Sequence, residues 1–229
     1  MRLDARTIQW AARRKISAET LRTMSVGGDL IQFGDRKLPA ITFNYLDASG
    51  QTVNWKARPL NEKDYCQKRG GTQQFFNQAA VLNGPLEEVY VTEGEMDALA
   101  LVEAGVPAHS VLSVVGGAPA KATEDAPSAK RYEYIGAALA AGLSRCPRFI
   151  LVTDSDSPGR HLRADLALIL GANKCHWVDF PDTIKDANEL LVAWDAERLH
   201  AYLRAEVQEF PLEGVYRLSQ IPEPPALVL

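Results

Sequence analysis

The second half of the chain alternates short apolar runs with longer amphipathic stretches. The run RFILVT at 148–153 holds four consecutive apolar residues, as expected for a strand that is buried on both faces. Strands that alternate with helices pair in parallel through right-handed crossovers. The pattern therefore predicts an α/β domain whose parallel sheet is flanked by helices. Strands are predicted at 89–91, 110–115, 148–153 and 175–178, and helices at 95–104, 128–142, 159–171, 185–192 and 195–208.

The first third of the chain has a different pattern, which predicts a smaller α+β unit. Residues 1–26 read as helical, and Ser17 is placed to cap a short helix. Residues 38–60 predict a β-hairpin, because two runs of β-branched and aromatic residues flank a polar turn containing glycine. The polar stretch at 61–84 predicts a loop followed by a short helix.

These patterns divide the chain into three segments. We predict a basic N-terminal subdomain at 1–84 and an α/β domain at 85–210. The remaining stretch, 211–229, contains four prolines and reads as a tether leading out of the domain.

Composition narrows the class of protein. Apolar residues make up 46% and charged residues 24% of the 229 residues, which is typical of a globular protein. No apolar run reaches the length of a membrane span, and the N-terminus lacks the apolar core of a secretory signal. The three cysteines are far apart and suit neither a disulfide framework nor a zinc site. We therefore expect no membrane association and a cytoplasmic protein of a bacterial or phage-infected cell, with an organelle as an alternative.

Charge is distributed unevenly along the chain. Residues 1–70 hold 13 Lys and Arg against 7 Asp and Glu, whereas residues 71–229 hold 12 against 22. A basic third next to an acidic remainder suggests that one part binds a polyanion and the other binds cations such as metal ions. Chance clustering of solvated charges is the alternative explanation.

Carboxylates follow the predicted strands at their carboxyl ends, where an open parallel sheet binds its ligands. Glu93 follows the first strand, Asp154 and Asp156 follow the third, and Asp186 follows the fourth after a short loop. Each alone is also explained as a helix cap or as an acidic residue in a first helical turn. Together they would repel one another unless a cation separates them. Oxygen ligands without His or Cys indicate Mg²⁺ or Mn²⁺, and such ions hold phosphate oxygens.

Three motifs containing these carboxylates resemble the acidic motifs of the Toprim fold, which primases, topoisomerases and certain nucleases share. They are VYVTEGEMDAL (89–99), LVTDSD (151–156) and KDANELL (185–191). The form KDANE is similar to the primases of T7-type phage primase–helicases and of their mitochondrial relatives. The segment at 41–60 is similar to the basic hairpin that precedes the Toprim domain in those primases. The resemblance covers about residues 10–210 and implies a Toprim parallel sheet preceded by a basic α+β subdomain.

The resemblance implies a metal-dependent, DNA-directed RNA polymerase that makes short RNA primers on single-stranded DNA. Two sets of site residues follow from it. The catalytic carboxylates would be Glu93, Asp154, Asp156 and Asp186, and these with Asp97, one helical turn after Glu93, would bind Mg²⁺ or Mn²⁺. The residues expected to bind nucleotide or DNA are Lys56, Arg58, Lys63, Lys68, Arg69 and Arg160.

The implied partners are a single-stranded DNA template, ribonucleoside triphosphates and a ring helicase, either in the same chain or as a separate protein. The tail at 211–229 resembles the linker that leads to that helicase. Tyr45, Trp55 and Tyr65 lie among the basic residues, where they either stack on bases or pack within the hairpin.

The chain departs from the family pattern in its accessory motifs. It contains no CxxC pair, so no zinc is expected, and no GxxxxGK[ST] helicase motif. Pro158 replaces the usual alanine after the two aspartates, while Gly159 remains. Two alternative functions stay open: a single-stranded-DNA-binding module that serves a helicase, and a Toprim nuclease. Retention of all four motif carboxylates favours activity, and the basic hairpin with the KDANE form favours a primase.

Overall fold

The computed structural model describes residues 3–118 and 130–210. These residues form two β-sheets, one of four strands and one of five, with helices packed against them. The predicted tether at 211–229 and the start of the helix predicted at 128–142 lie outside the described residues.

Two short helices precede the first sheet, α1 (Ala5–Ala12) and α2 (Ala18–Thr23). Each begins at a side-chain cap, which satisfies a backbone N–H that has no partner within the helix. The Asp4 carboxylate accepts from Thr7 N at 2.8 Å, and the Ser17 hydroxyl accepts from Thr20 N at 3.1 Å. The predicted Ser17 cap is confirmed.

The first sheet is antiparallel and contains the predicted hairpin. Its strands, in spatial order, are β1 (Val26–Phe33), β2 (Arg36–Leu46), β3 (Thr52–Pro59) and β4 (Cys66–Gln67). Phe43 of β2 pairs with Lys56 of β3, and Ile41 pairs with Arg58. Because side chains alternate along a strand, Lys56 and Arg58 point to the same face of this sheet.

The strand β1 was not predicted. Its sequence, VGGDLIQF, contains two adjacent glycines near its start, which weaken a strand pattern and read as a turn. The structure explains Gly28, because a Cβ there would lie 2.0 Å from Thr7 Oγ1 of α1. The missing side chain lets α1 lie directly on the sheet.

The second sheet has the predicted parallel strands. They are β5 (Val89–Thr92), β6 (Val111–Ser113), β7 (Phe149–Val152) and β8 (Cys175–Val178), joined by β9 (Val207–Glu209) in the spatial order β6-β5-β7-β8-β9. All pairs are parallel except β8 with β9. The helix predicted at 195–208 ends earlier, because its last residues turn back to pair with β8. The parallel strands end at one common edge.

Helices connect these strands and cover the sheet. They are α3 (Gln78–Leu82), α4 (Glu95–Glu103), α5 (Glu133–Ala140), α6 (Ser157–Leu170), α7 (Ala187–Ala193) and α8 (Ala196–Ala205). Pro158 lies in the first turn of α6, where a missing N–H costs nothing. A Cβ on Gly159 would lie 2.2 Å from the Asp154 carbonyl oxygen. The glycine after the two aspartates thus lets α6 start close against the end of β7.

One hydrophobic core joins the two sheets. It includes Trp10 of α1, Tyr45 of β2 and Phe149 of β7, all of them buried. The architecture confirms the predicted fold class, a flanked parallel sheet preceded by a smaller unit with a hairpin. The boundary at 84/85 stays a prediction. Within the described ranges, no helix has both the length and the apolar character needed to cross a bilayer.

Candidate functional site

Five acidic residues from three sequence motifs meet at the carboxyl edge of the second sheet. Glu93 follows β5, and Asp97 lies in the first turn of α4. Asp154 and Asp156 follow β7, while Asp186 immediately precedes α7. The predicted convergence of these motifs therefore occurs in the folded chain.

Two of the five carboxylates also cap helices. At the start of α6 the cap is Asp156 and not Asp154, for which capping was the alternative explanation, and Asp156 Oδ1 accepts from Gly159 N at 2.9 Å. Asp186 Oδ1 accepts from Glu189 N at 2.7 Å at the start of α7, as its capping alternative anticipated. Each cap uses one oxygen atom, and the second oxygen of Asp156 contacts Lys185.

Glu93 lies against the backbone of two neighbouring loops. Its Oε1 accepts from Ala118 N at 3.1 Å and its Oε2 from Asp154 N at 3.4 Å. Burial, reinforced by the negative charge of Asp154, raises the pKa of Glu93 to about 7. The carboxyl group is therefore close to half-protonated near neutral pH.

Asp97 is the most enclosed member of the cluster, with 7% of its surface exposed. Its Oδ1 accepts from Asn188 N at 3.1 Å. Burial, followed by the charges of Asp186 and Asp154, raises its pKa well above the ordinary value for aspartate. Enclosure is thus the main cause of the shift, and repulsion from the neighbouring carboxylates adds to it.

Lys185 is the cation that contacts this cluster. Its Nζ lies 2.8 Å from Asp154 Oδ2 and 3.1 Å from Asp156 Oδ2. These contacts raise the pKa of Lys185 and help lower that of Asp156, whereas burial keeps the pKa of Asp154 raised. Lys185 thus neutralises part of a cluster that would otherwise carry only negative charge.

The donor set at this edge fits a hard divalent cation. Carboxylate oxygens are the ligands that Mg²⁺ and Mn²⁺ prefer, and a cation would relieve the repulsion that raises these pKa values. The buried Ser155 hydroxyl, between Asp154 and Asp156, has no hydrogen-bond partner among the described residues. In the same part of the chain, no three acidic, His or Cys side chains are already arranged to hold a metal ion. Mg²⁺ commonly binds through one or two carboxylates together with waters and phosphate oxygens, so two neighbouring carboxylates here would be enough.

A cleft of about 720 Å³ lies beside this edge, with an acidic and a basic wall. Asp97, Lys185 and Asp186 line the acidic side. Arg14, Arg58 and Lys63 line the basic side. Among residues 3–118 and 130–210, none of these three basic side chains forms an ion pair.

Arg14 is a functional candidate that the sequence did not single out. Its guanidinium lies 3.8 Å from the ring centroid of Trp10, and that of Arg58 lies 5.8 Å from the same ring. Burial, together with the charge of Arg58, lowers the pKa of Arg14. The run Arg13-Arg14-Lys15 within a basic N-terminal third was the available signal, but helical periodicity could not show which residue faces the cleft. Two neighbouring guanidinium groups without an acidic partner in the described ranges favour an anionic ligand.

Comparison with known proteins assigns the α/β part of the chain. A family model described as Toprim-like matches residues 90–191, which contain all five clustered carboxylates. Residues 90–191 are a Toprim-like domain. The five clustered carboxylates therefore belong to this domain, and the first sheet precedes it.

Two curated relatives from Arabidopsis thaliana match most of the chain. One is a Twinkle homolog protein, chloroplastic/mitochondrial, 32% identical over 215 residues, which are 90% of this chain and 28% of that protein. The other is a primase homolog protein, 32% identical over 213 residues, which are 89% of this chain and 59% of that protein. The chain thus spans about a quarter of one relative and three-fifths of the other.

Solved structures with the same fold include primases. The primase fragment of the bacteriophage T7 primase-helicase superposes with a TM-score of 0.65 at 24% identity, covering 84% of this chain and 71% of that one. The zinc-binding and RNA polymerase domains of the Aquifex aeolicus primase superpose with a TM-score of 0.65 at 13% identity, covering 90% and 57%. The described residues therefore share the fold of these solved structures.

Lys56 also lines the cleft, but its charge is already paired with the Toprim domain. Its Nζ lies 3.0 Å from Glu95 Oε1, and the Tyr45 hydroxyl donates to the same oxygen at 2.6 Å. Glu95, in the first turn of α4, belongs to the motif VYVTEGEMDAL but is not among the residues predicted for the site. Because Lys56 is bound to Glu95, it differs from Arg58 and Lys63, whose charges remain unpaired within the described residues.

Three predicted binding residues lie outside the lining of the cleft. Lys68 and Arg69 are exposed in the turn that follows β4. Arg160, in the first turn of α6, donates to the Ser155 carbonyl oxygen. Their roles in binding stay predictions, and the structure does not bring them together with Arg58.

The three aromatic candidates have different environments. Tyr45 is fully buried, and Trp55 packs against a small cluster on the first sheet, so both follow the packing alternative. Tyr65 lines the cleft with 68% of its surface exposed, and Lys56 Nζ lies 5.5 Å from its ring centroid. Of the three, Tyr65 is the one available to stack on a base.

Proposed function

We propose that the Toprim-like domain and the hairpin sheet before it form a primase: a nucleotidyltransferase that uses Mg²⁺ or Mn²⁺ to make short RNA primers on single-stranded DNA. The observation that carries the proposal is the cleft in which three basic side chains line the same space as Asp97 and Asp186, two of the five clustered carboxylates. A polymerase must hold a triphosphate and a template strand beside its acidic centre. A cleft with one wall of each sign suits that requirement.

Each wall has its own task in this proposal. Glu93, Asp97, Asp154, Asp156 and Asp186 would hold the metal, which supplies charge stabilisation at the reacting phosphate. Arg14, Arg58 and Lys63 would neutralise phosphates of the nucleotide or of the template. Tyr65 would stack on a base, which orients the strand without selecting its sequence. No zinc is needed for any of these tasks.

The direct test is primer synthesis. The protein is incubated with single-stranded DNA of mixed sequence, labelled ribonucleoside triphosphates and Mg²⁺ or Mn²⁺, and the products are separated on a gel. We expect short labelled RNA that is absent with a chelator and absent for Asp154→Asn. Failure to make RNA with either metal on any template, by a protein that binds both metal and template, would contradict the proposal.

The same experiment separates the two alternative functions. Shortened DNA in the presence of metal would indicate a Toprim nuclease. Binding of single-stranded DNA without synthesis or cleavage would indicate a binding module that serves a helicase. We favour synthesis because all four motif carboxylates are present, and a pure binding module has no use for a cluster whose members raise one another's pKa values.

A ring helicase is the proposed partner, joined in the same chain or acting as a separate protein. The names of one relative and of one structural neighbour, a Twinkle homolog and a primase-helicase, support this choice. A tethered helicase would hold the template near the cleft and raise its effective concentration, to roughly the millimolar range for a short flexible linker. Primer yield should therefore rise more when a helicase is fused after residue 229 than when it is mixed in at the same concentration. Location in the cell stays a prediction.

A further inference from the structure

The side chain of Lys185 bridges the two aspartates of the LVTDSD motif. Its Nζ contacts Asp154 Oδ2 at 2.8 Å and Asp156 Oδ2 at 3.1 Å. No other side chain in residues 3–118 and 130–210 forms an ion pair with either aspartate. An ammonium group is a compact point charge, and here it occupies the position between two carboxylates that a small metal ion would seek.

The backbone of Lys185 is held on both sides. Its N–H donates to Glu189 Oε2, in the first turn of α7, at 2.8 Å. Its carbonyl oxygen accepts from Ser155 N, between the two aspartates, at 2.9 Å. These bonds anchor the residue to the loop that carries the aspartates and to the start of α7.

The side chain of Lys185, in contrast, is held among the described residues by its two ion pairs alone. It is 50% exposed, and its flexible four-carbon stem lines the open cleft. The ammonium group can therefore leave the aspartates without any change in the fold. Partly exposed ion pairs of this kind are weak enough for a divalent ion to replace.

We propose that Lys185 is an internal counter-cation, which neutralises Asp154 and Asp156 until a divalent metal ion displaces its ammonium group. The inference rests on the proposed metal-dependent function. This role of Lys185 explains why the acidic cluster is stable before metal binds, although its members raise one another's pKa values. It also explains why the described carboxylates do not yet surround a common point. Lys185 then sets the affinity of the site for metal by competing for the same two oxygens.

The test measures Mn²⁺ binding by electron paramagnetic resonance for the wild-type protein and three variants. Lys185→Met should bind Mn²⁺ about 3- to 10-fold more tightly, the gain expected when two partly exposed ion pairs no longer compete. Lys185→Arg keeps a cation that can bridge both aspartates, so it should bind no more tightly than wild type. Lys63→Met removes a charge from the same cleft. Because Lys63 forms no ion pair with a described carboxylate, the affinity of this variant for Mn²⁺ should differ from that of wild type by less than about 2-fold. Unchanged or weaker binding by Lys185→Met overturns the inference.

Thermal unfolding gives a second readout that separates displacement from a general charge effect. Without metal, Lys185→Met should unfold about 2–4 °C below wild type, because the aspartates have lost their counter-ion. At saturating Mn²⁺ the two proteins should unfold at the same temperature, because the ammonium no longer contacts the aspartates in either. A difference that persists at saturation means that Lys185 keeps its ion pairs beside the metal, which contradicts the inference.

The two proposals fail in different ways. If neither wild type nor Lys185→Met binds Mn²⁺, the proposed metal-dependent function is wrong. If both bind with equal affinity and keep the same difference in unfolding temperature, only the role of Lys185 is wrong. Should Lys185→Met not fold, Lys185→Gln removes the charge while keeping a polar side chain.

Discussion

Lys56 and Glu95 form an ion pair that joins the hairpin to the Toprim domain, with Lys56 Nζ 3.0 Å from Glu95 Oε1 and 3.1 Å from Oε2. The two side chains are 18% and 7% exposed. Tyr45 donates to Glu95 from the adjacent strand, and burial followed by the Glu95 charge raises the pKa of that phenol. This contact therefore adds a buried ion pair to the hydrophobic core that already joins the two sheets.

Removing this contact should destabilise the protein. Lys56→Met leaves the Glu95 carboxylate buried without its counter-charge, and we expect the free energy of unfolding to fall by about 2–3 kcal/mol. Arg58→Met, two residues along the same strand face, removes an unpaired charge and should cost less than about 1 kcal/mol. Urea unfolding of the two variants provides the comparison.

A double-mutant cycle then assigns the effect to the pair. Lys56→Met combined with Glu95→Gln should be more stable than the sum of the single changes predicts, because no isolated charge remains. Strict additivity would show that Lys56 stabilises the protein through other contacts.

The basic wall should determine how phosphate binding responds to salt. Arg58→Ala and Lys63→Ala should each reduce the slope of log affinity for single-stranded DNA against log salt by about 0.7, one phosphate contact each. Lys68→Ala and Arg69→Ala make the same change in charge at two predicted binding residues outside the cleft, so an unchanged slope would show that they contact no phosphate. Filter binding over a range of salt concentrations measures all four. A larger effect of Lys68→Ala and Arg69→Ala would indicate that the DNA strand binds along the turn that follows β4 instead.

Two variants of Asp186 should show whether this residue acts only as a helix cap or also as a metal ligand. Asp186→Asn keeps the bond to Glu189 N, so it should lose primer synthesis without losing stability, whereas Asp186→Ala should also lose about 1 kcal/mol. Asp195 is the matched control, because it caps α8 through Arg198 N at 2.8 Å and is absent from the acidic motifs. Asp195→Ala should lose the same stability and keep synthesis. Full synthesis by Asp186→Asn would restrict Asp186 to capping.

Stability without metal should fall as pH rises from about 4.5 to about 7. The pKa of Glu93 is raised from 4.5 in the unfolded chain to about 7 in the fold, so over this range the folded state binds more protons. Unfolding then releases a proton and becomes easier as pH increases. Glu93→Gln should weaken this dependence, which urea unfolding in chelator can measure at several pH values.

Divalent metal supplies the control for that prediction. A bound cation favours the ionised carboxylates, so saturating Mg²⁺ should flatten the wild-type dependence on pH over the same range. Stability that instead increases steadily with pH in chelator would show that the Glu93 carboxylate is not under repulsion.

The fold was largely predictable from local signals. The unbroken apolar run at 149–152 and the intervening helices identified the parallel sheet, and the turn in 38–60 identified the hairpin. The strands β1, β4 and β9 were missed because tertiary pairing formed them. Glycines obscured β1, which is paired with β2, and residues 207–209 became a strand only by pairing with β8.

The meeting of the acidic residues could be predicted from the sequence, because parallel strands must end at the same edge of their sheet. Charge pairing depended on the tertiary structure. Lys56 and Arg58 are indistinguishable in sequence, yet Glu95 lies within reach of only the first in this fold. Arg14 joined the cleft because packing of α1 turned it towards Trp10 and Arg58. Whether two charges pair depends on distances of a few ångströms between segments that are far apart in the chain, and sequence patterns do not reveal those distances.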